Sequence, residues 1–388
     1  MNIPAARYAF GLSAAAVLFA PTLLAQPATQ PAISTPSAPA NLVSPEIAAV
    51  RRLTFRMFAP TASKVSVAGQ WDNNTPHDMT KDARGVWSVT VGPVEPSFWI
   101  YNFTMDGLTL ADPVNPQVKL RTRTSGSLVT VPAPGQPELW EARTDVPHGA
   151  LDINWHNSQI AGDTRYFYVY TPPGYDPAGT TRYPVLYLLH GATCLPSDWT
   201  AAGRANFMAD NLIAAQRMTP MIIVMPSGYA TPGMGITPTL IATGNDDAFD
   251  RCLTQEVIPL VEKKYRTSAG PGNRAIMGLS MGGGQALKSG LSHLDLFASV
   301  GGFSAATIQN FDTRFAALLA DPAGTNAKLK LLWIGCGRQD SLFDFAQRMD
   351  TTLTAGKIQH TFFPMEGVHN YIVWRRCFEE AVTKLFRP

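Results

Sequence analysis

The sequence predicts a chain in two structured parts: an α/β protein with a mostly parallel sheet, preceded by a small all-β sandwich. Three observations carry this. From about residue 150, short apolar runs alternate with helical patterns, which builds a parallel sheet covered on both faces. Residues 50–134 instead hold short runs of period-2 alternation punctuated by Gly, Asn, Asp and Pro. The length of 388 residues suits two domains, and 45% hydrophobic against 15% charged residues suits a chain with sizeable cores.

Taken in order, the elements begin with a leader. Arg7 supplies a positive charge, and Tyr8 to Ala25 are apolar or small. This reads as a signal peptide over residues 1–25, although Leu23 is a poor residue at −3 from the cleavage point. An uncleaved membrane anchor is the alternative, and Pro21 and the short apolar run argue against it. The protein is therefore expected to be secreted or periplasmic, with no membrane association after cleavage. Residues 26–49, rich in Pro, Ala, Ser and Thr, cannot bury much apolar surface and read as a disordered linker.

Within 50–134, strands are expected at Leu53–Phe58, Lys64–Ala68, Val86–Val91, Phe98–Phe103 and Ser127–Val131. Residues 135–149 read as a second linker. Within 150–388, strands are expected at Arg165–Thr171, Pro184–Leu189, Met221–Met225, Arg274–Gly278, Ala298–Gly302, Leu329–Gly335 and His360–Pro364. The clearest helices are Phe249–Tyr265, with Phe249, Leu253, Val257, Leu260 and Val261 on one stripe, and Tyr371–Phe386, with Trp374, Phe378, Val382 and Leu385 aligned.

A formal charge of +2 without a basic patch gives no reason to expect a nucleic-acid partner. The four cysteines, Cys194, Cys252, Cys336 and Cys377, form no CxxC pair, so no metal site is expected. Export would permit disulfides, but the sequence does not choose among the possible pairings, and buried free thiols are the other reading. The oligomeric state is left open.

The chemistry is signalled by Gly278-Leu279-Ser280-Met281-Gly282, which follows an apolar run and opens a helical pattern. Strand, G-x-S-x-G, helix is the context of a nucleophile elbow: a tight turn that lifts the serine hydroxyl clear of the edge of a sheet. A serine hydroxyl needs a base to take its proton and a carboxylate to orient that base. In α/β-hydrolases these follow the serine in the order acid, then histidine. Asp340, just beyond the strand through Gly335, and His369, between the last strand and last helix, stand in that order on loops at the same edge. His360, placed inside a strand, and His293, at the end of the helix after the elbow, are weaker candidates. So are Asp344 and Asp350, within the helix after Asp340.

An oxyanion hole is also required. The backbone N–H of Met281, directly after the serine, is one expected donor. The second is expected on the loop His190-Gly191-Ala192, where Gly191 permits close approach and the Ala192 N–H is the candidate donor. Trp199 is a candidate floor for the acyl pocket, with core packing as its alternative. His190 precedes the serine and reads as support for its loop, with a substrate contact kept open. Residues 226–247 form a long Gly/Pro/Thr-rich loop of the kind that shapes substrate entry.

These residues resemble the esterase-D / feruloyl-esterase branch of the α/β-hydrolases, which includes bacterial hemicellulose acetyl and feruloyl esterases. The resemblance is carried by Val169-Tyr170-Thr171-Pro172-Pro173-Gly174-Tyr175, by Tyr183 to Gly191, by Asp210-Asn211-Leu212-Ile213, by Gly278 to Gly284, by Trp333 to Gly337 and by Val373-Trp374-Arg375. The first part of the chain resembles the E-set, immunoglobulin-like, carbohydrate-binding-module-like domains that precede such esterases. That match rests on Phe58 to Val65, Tyr101 to Gly107 and Ala111-Asp112-Pro113. Trp87, Trp99 and Tyr101 either stack on sugars or fill the sandwich. Relatives often carry a tryptophan where this chain has Tyr371, beside the base, so the leaving-group pocket is expected to differ.

The resemblance implies a secreted serine esterase, without cofactor, acting on feruloyl or acetyl esters of xylan-type cell-wall polysaccharides. Three alternatives remain: an enterochelin-type siderophore esterase, a mycolyl-type acyltransferase, and a non-catalytic glycan-binding protein.

Overall fold

The computed structural model describes residues 37–135, 137–231, 244–305, 308 and 310–387. The expected leader and the centre of the 226–247 loop lie outside the described residues. From Pro39 onward the chain forms one unit.

Its first part is a sandwich of two antiparallel sheets. One sheet has the order Glu46–Ile47, Leu53–Phe58, Val86–Val91, Thr80–Lys81. The other runs His77–Asp78, Val65–Gly69, Ser97–Met105, Gly126–Val131, Val118–Lys119, with Leu108–Leu110 paired to Ser97–Met105. Alternation decides which side is buried. Leu53, Phe55 and Met57 face inward and meet Tyr101 and Phe103 from the opposite sheet. Trp87, Trp99 and Tyr101 are buried, and their polar ends are satisfied inside, Trp87 Nε1 donating to Ala59 O and Trp99 Nε1 to Glu95 O. They fill the sandwich and offer no sugar-stacking face. Glu46–Ile47 pairs with Leu53–Phe58, so the last residues of the expected first linker belong to a sheet.

The second part is built on eight strands: β1 (Ala150–Ser158), β2 (Asp163–Thr171), β3 (Val185–Leu189), β4 (Ile222–Met225), β5 (Arg274–Leu279), β6 (Ser299–Phe303), β7 (Leu331–Gly337) and β8 (Thr361–Met365). Their order across the sheet is β1-β2-β4-β3-β5-β6-β7-β8. β1 and β2 are antiparallel to their neighbours, and the six strands β3 to β8 run parallel. β3 and β4 are buried at every position, as expected of strands covered on both faces. On one face lie α2 (Ser280–Ser292) and the helical stretch around Leu253, Val257 and Val261. On the other lie α1 (Ala205–Ala214) and α4 (Tyr371–Val382), which contribute Met208, Leu212 and Phe378. α3 (Phe343–Ala355) follows β7.

Three differences from the sequence expectations have physical causes. β1 was not anticipated; it is an edge strand whose apolar Leu151, Ile153 and Trp155 remain exposed, so it carries no buried run. The helix expected at Phe249–Tyr265 has a wide π turn at Cys252–Val257 between Asn245–Arg251 and Ile258–Lys264. Pro259 lies two residues beyond its end, and its missing N–H removes the regular helical bond back to Gln255 O within the turn. His360 lies just ahead of β8, outside the strand, with Nε2 2.9 Å from Asp350 Oδ1 and Nδ1 2.8 Å from Ile358 O. All four cysteines are free thiols. Among the described residues no helix is long and apolar enough to cross a membrane.

The two parts pack together through buried polar groups. Arg375 of α4 donates to Ala202 O at 2.9 Å, to Ser97 Oγ at 3.0 Å and to Phe98 O at 3.3 Å. Trp140, in the segment expected to be the second linker, is buried against Phe98 and beneath the Arg375 guanidinium. Asn211 Nδ2 ties the same segment down by donating to Leu139 O and Glu141 O.

Candidate active site

Ser280 sits between β5 and α2 with φ of +51°, a left-handed conformation that side chains rarely adopt. The turn closes only because its neighbours lack side chains. A Cβ on Gly278 would meet Gly282 O at 2.5 Å, and one on Gly282 would meet His190 O at 2.4 Å. Strain held in this way by close packing is characteristic of functional turns. Ser280 also opens a 13-residue helix, so the N–H groups of the first turn lack intrahelical acceptors and lie at the positive end of the helix dipole.

Asp340 and His369 arrive from the ends of β7 and β8. Their loops are fastened together: Gln339 N–H donates to Gly367 O at 3.1 Å, and Gly367 N–H donates back to Gln339 Oε1 at 2.6 Å. Asn370 caps α4 by accepting from the N–H groups of Ile372 and Val373, which fixes the helix start directly after His369. The result is a continuous relay. His369 Nε2 lies 3.0 Å from Ser280 Oγ, and His369 Nδ1 lies 2.8 Å from Asp340 Oδ2. The imidazole also packs edge-on against Trp374, with ring centres 4.9 Å apart.

Burial alone would raise the Asp340 carboxyl. Hydrogen bonds from His369, the Ser304 hydroxyl and the Leu342 N–H outweigh it and hold the group below its ordinary value of 3.8. Asp340 is therefore ionised at neutral pH and favours the tautomer with a proton on Nδ1 of His369, leaving Nε2 free to accept from the serine. Such an arrangement can generate a nucleophilic alkoxide-like oxygen at a helix N-terminus.

Met281, the second residue of α2, presents one of those free backbone N–H groups beside Ser280. The loop carrying Ala192 runs against the nucleophile, since a Cβ on Gly191 would stand 3.4 Å from Ser280 Cβ. The substrate contacts kept open for Trp199 and His190 are not made, and the alternative readings of core packing and loop support hold instead. Trp199 is fully buried, with Nε1 donating to Leu189 O at 2.9 Å and its ring packed on Phe303, Tyr371 and Phe378, so it is core and leaves no floor for an acyl group. His190 is 1% exposed and cannot touch substrate. Its Nδ1–H donates to Gly191 O and its Nε2 accepts from Gly228 N–H, and burial depresses its basicity, so it is a neutral strut under its own loop. His293 reaches Asp250, away from Ser280, and Asp350 is taken by His360.

The supporting groups carry no motif that marks them. Ser304 bonds to Asp340, and Gln285 and Asn245 both donate to Gly228 O behind His190. Asp198 and Lys119 form a buried ion pair behind the site. Of the residues around the pair, Tyr371 alone stands out in the sequence, by its departure from the residue common in relatives.

A serine on a strained strand-to-helix turn, joined through an imidazole to a buried carboxylate on this sheet, defines the class: an α/β-hydrolase-type fold with an N-terminal all-β domain. The family described as Putative esterase matches residues 158–385, more than half of the chain, and the chain belongs to it. Residues 43–116 match Carbohydrate-binding module 48 (Isoamylase N-terminal domain). The chain is 29% identical over 337 residues to an endo-1,4-beta-xylanase/feruloyl esterase of Xylanibacter ruminicola, covering 86% of this chain and 44% of that protein. It thus spans less than half of that relative's length. It is 31% identical over 144 residues to an esterase of Mycobacterium tuberculosis, covering 35% of this chain and 28% of that one.

Two solved structures share the fold. A CE1 ferulic acid esterase from Anaeromyces mucronatus, in complex with ferulic acid, superposes with a TM-score of 0.57 at 24% identity, over 64% of this chain and 94% of that one. The enterobactin esterase from Shigella flexneri gives 0.62 at 20% identity, over 86% and 93%.

Proposed function

We propose that the protein is an exported serine ester hydrolase that removes feruloyl or acetyl groups from xylan-type polysaccharides. The observation that carries the chemistry is the relay itself, 3.0 Å from Ser280 Oγ to His369 Nε2 and 2.8 Å from His369 Nδ1 to Asp340 Oδ2. His369 takes the hydroxyl proton as Ser280 Oγ bonds to the ester carbonyl carbon. The Met281 and Ala192 N–H groups receive the oxyanion, each contributing roughly 3 kcal/mol to the transition state. Asp340 stabilises the imidazolium. The proton then passes to the departing alcohol oxygen as its bond to carbon breaks, leaving an acyl-serine. Water, deprotonated by the same imidazole, attacks that ester and restores Ser280.

The substrate class is supported by the xylanase/feruloyl esterase relative and by the carbohydrate-binding-module match in the N-terminal domain. Export is supported by the sequence of residues 1–25. A second reading, hydrolysis of a catecholate siderophore trilactone, is favoured by one observation: the Shigella flexneri enterobactin esterase matches 86% of this chain. Purified protein assayed on methyl ferulate, acetylated xylan and a catecholate trilactone separates the two. Turnover of the first or second with an inert trilactone supports the polysaccharide reading. Turnover of the trilactone alone overturns it.

A further inference from the structure

A lysine on a short edge strand ordinarily keeps its ammonium in water. Lys119, on the edge strand Val118–Lys119 of the N-terminal domain, is 1% exposed. Its Nζ lies 3.0 Å from Asp198 Oδ1, and both side chains are sealed from solvent. The same Nζ donates to Cys194 Sγ at 3.2 Å and stands 5.6 Å from the centre of the Tyr371 ring. The Tyr371 hydroxyl donates to the other oxygen of Asp198. Burial pushes the Tyr371 phenol well above its ordinary range and the Cys194 thiol up to about 12, so neither adds a charge at neutral pH, while Arg121 lies near enough to act on both.

The groups gathered here belong to the catalytic loops. Cys194 ends the segment Gly191–Cys194 that contains Ala192. Its N–H donates to Gly191 O at 3.3 Å, closing the segment into a turn. Thr193, at φ of +62°, is gripped from both sides. Its N–H donates to the Tyr229 hydroxyl, and its carbonyl accepts from Thr122 N–H, three residues beyond Lys119, at 2.9 Å. Tyr371 opens α4 two residues after His369, with its ring against Trp374, which itself flanks the imidazole. One ion pair therefore touches both the oxyanion loop and the turn that carries the base.

Stability alone does not account for it. Two charges taken out of water lose more hydration than they regain, and an apolar pair of similar size commonly serves a fold as well or better. In some proteins a buried ion pair instead holds its neighbours in one geometry.

We propose that Lys119 is a positioning residue for ester cleavage: the N-terminal domain inserts its ammonium behind the Gly191–Cys194 loop and beside the His369 turn, holding the Ala192 donor and the imidazole in register with Ser280. This rests on the ester-hydrolase reading. It assigns the N-terminal domain a part in the chemistry itself. A domain that only recruits polysaccharide matters for polymeric substrates alone, whereas this one matters equally for a small soluble ester carrying no sugar.

The test uses the full chain and 4-nitrophenyl acetate. Lys119→Met strands the Asp198 charge and is compared with Lys119→Met/Asp198→Asn, which removes both charges and spares the fold that penalty. The double variant is expected to melt near the wild type while kcat falls about 10- to 100-fold, the scale of a slight misplacement of catalytic groups, with KM within about threefold. Inactivation by a fluorophosphonate should slow by a similar factor. A folded double variant with wild-type kcat overturns the proposal, as does a loss confined to acetylated xylan. A wild-type protein inert toward both reagents would instead remove the ester-hydrolase reading, a separate failure.

Discussion

Substituting Gly282 by Ala tests whether the elbow and the oxyanion loop are locked to one another. The new methyl carbon would lie 2.4 Å from His190 O, 2.8 Å from Leu189 C and 2.8 Å from Leu189 Cβ. An ordinary contact needs more than half an ångström of extra room, and two of these three neighbours are backbone atoms. α2 and the His190–Ala192 loop must therefore move apart, separating the Met281 and Ala192 N–H groups that would share one oxyanion. Misplacement on the order of 1 Å costs about 10²-fold in rate, and overpacking costs about 1–3 kcal/mol in stability. Gly290→Ala is the control. Its Cβ would meet Val300 Cγ1 at 2.6 Å and Ile276 Cγ2 at 2.8 Å, in the same helix but away from Ser280. Both variants should melt at lower temperature, but only Gly282→Ala should lose about two orders of magnitude in kcat on 4-nitrophenyl acetate. Equal kcat losses in both, or a Gly282→Ala enzyme within about twofold of wild type, would refute the reasoning.

Two further outcomes follow from the site. Asp340→Asn should lower kcat by about 10⁴-fold, as loss of the orienting carboxylate does in other triads. Because the folded carboxyl lies below 3.8, its stabilisation is complete above about pH 4 and is lost as pH falls through the lower folded value. Urea midpoints of wild type should therefore drop across that acid range relative to Asp340→Asn, which lacks the step; parallel curves would contradict this. Tyr371→Phe removes the hydroxyl that donates to the buried Asp198 and should cost about 1–3 kcal/mol by urea unfolding, and an unchanged midpoint would exclude that bond.

What the sequence disclosed and what it hid divide along a physical line. The elbow was legible because its constraint is local: two glycines, a serine and the strand and helix around them lie within a few residues. Asp340 and His369 were legible because a parallel sheet puts every strand's C-terminal end at one edge, so chain order predicts proximity. β3 and β4 stood out because strands buried on both faces are continuously apolar. β1 did not, because its apolar side chains face solvent and alternate with Asp152, Asn154 and His156. Sequence distance alone leaves Trp199 open as a pocket floor or as core and His190 as loop support or contact, and burial with satisfied polar atoms settles both as scaffold. Lys119 and Asp198 have no local signature, since their pairing depends on one domain docking on the other, and Tyr371 stands out only by its departure from relatives. Trp140 was hidden for the same reason: a short Pro-containing segment reads as a linker until its partners Phe98 and Arg375 are known.

The central claim is that Ser280 is an activated nucleophile. A fluorophosphonate attached to a fluorophore, incubated with the wild type and with Ser280→Ala, measures this directly. The account predicts one covalent label on the wild type, mapped to Ser280 by peptide mass analysis, no label on the variant, and a turnover loss of about 10⁶-fold on a short acyl ester. A wild-type protein that stays unlabelled and inert, or a variant that labels and turns over equally well, would contradict it.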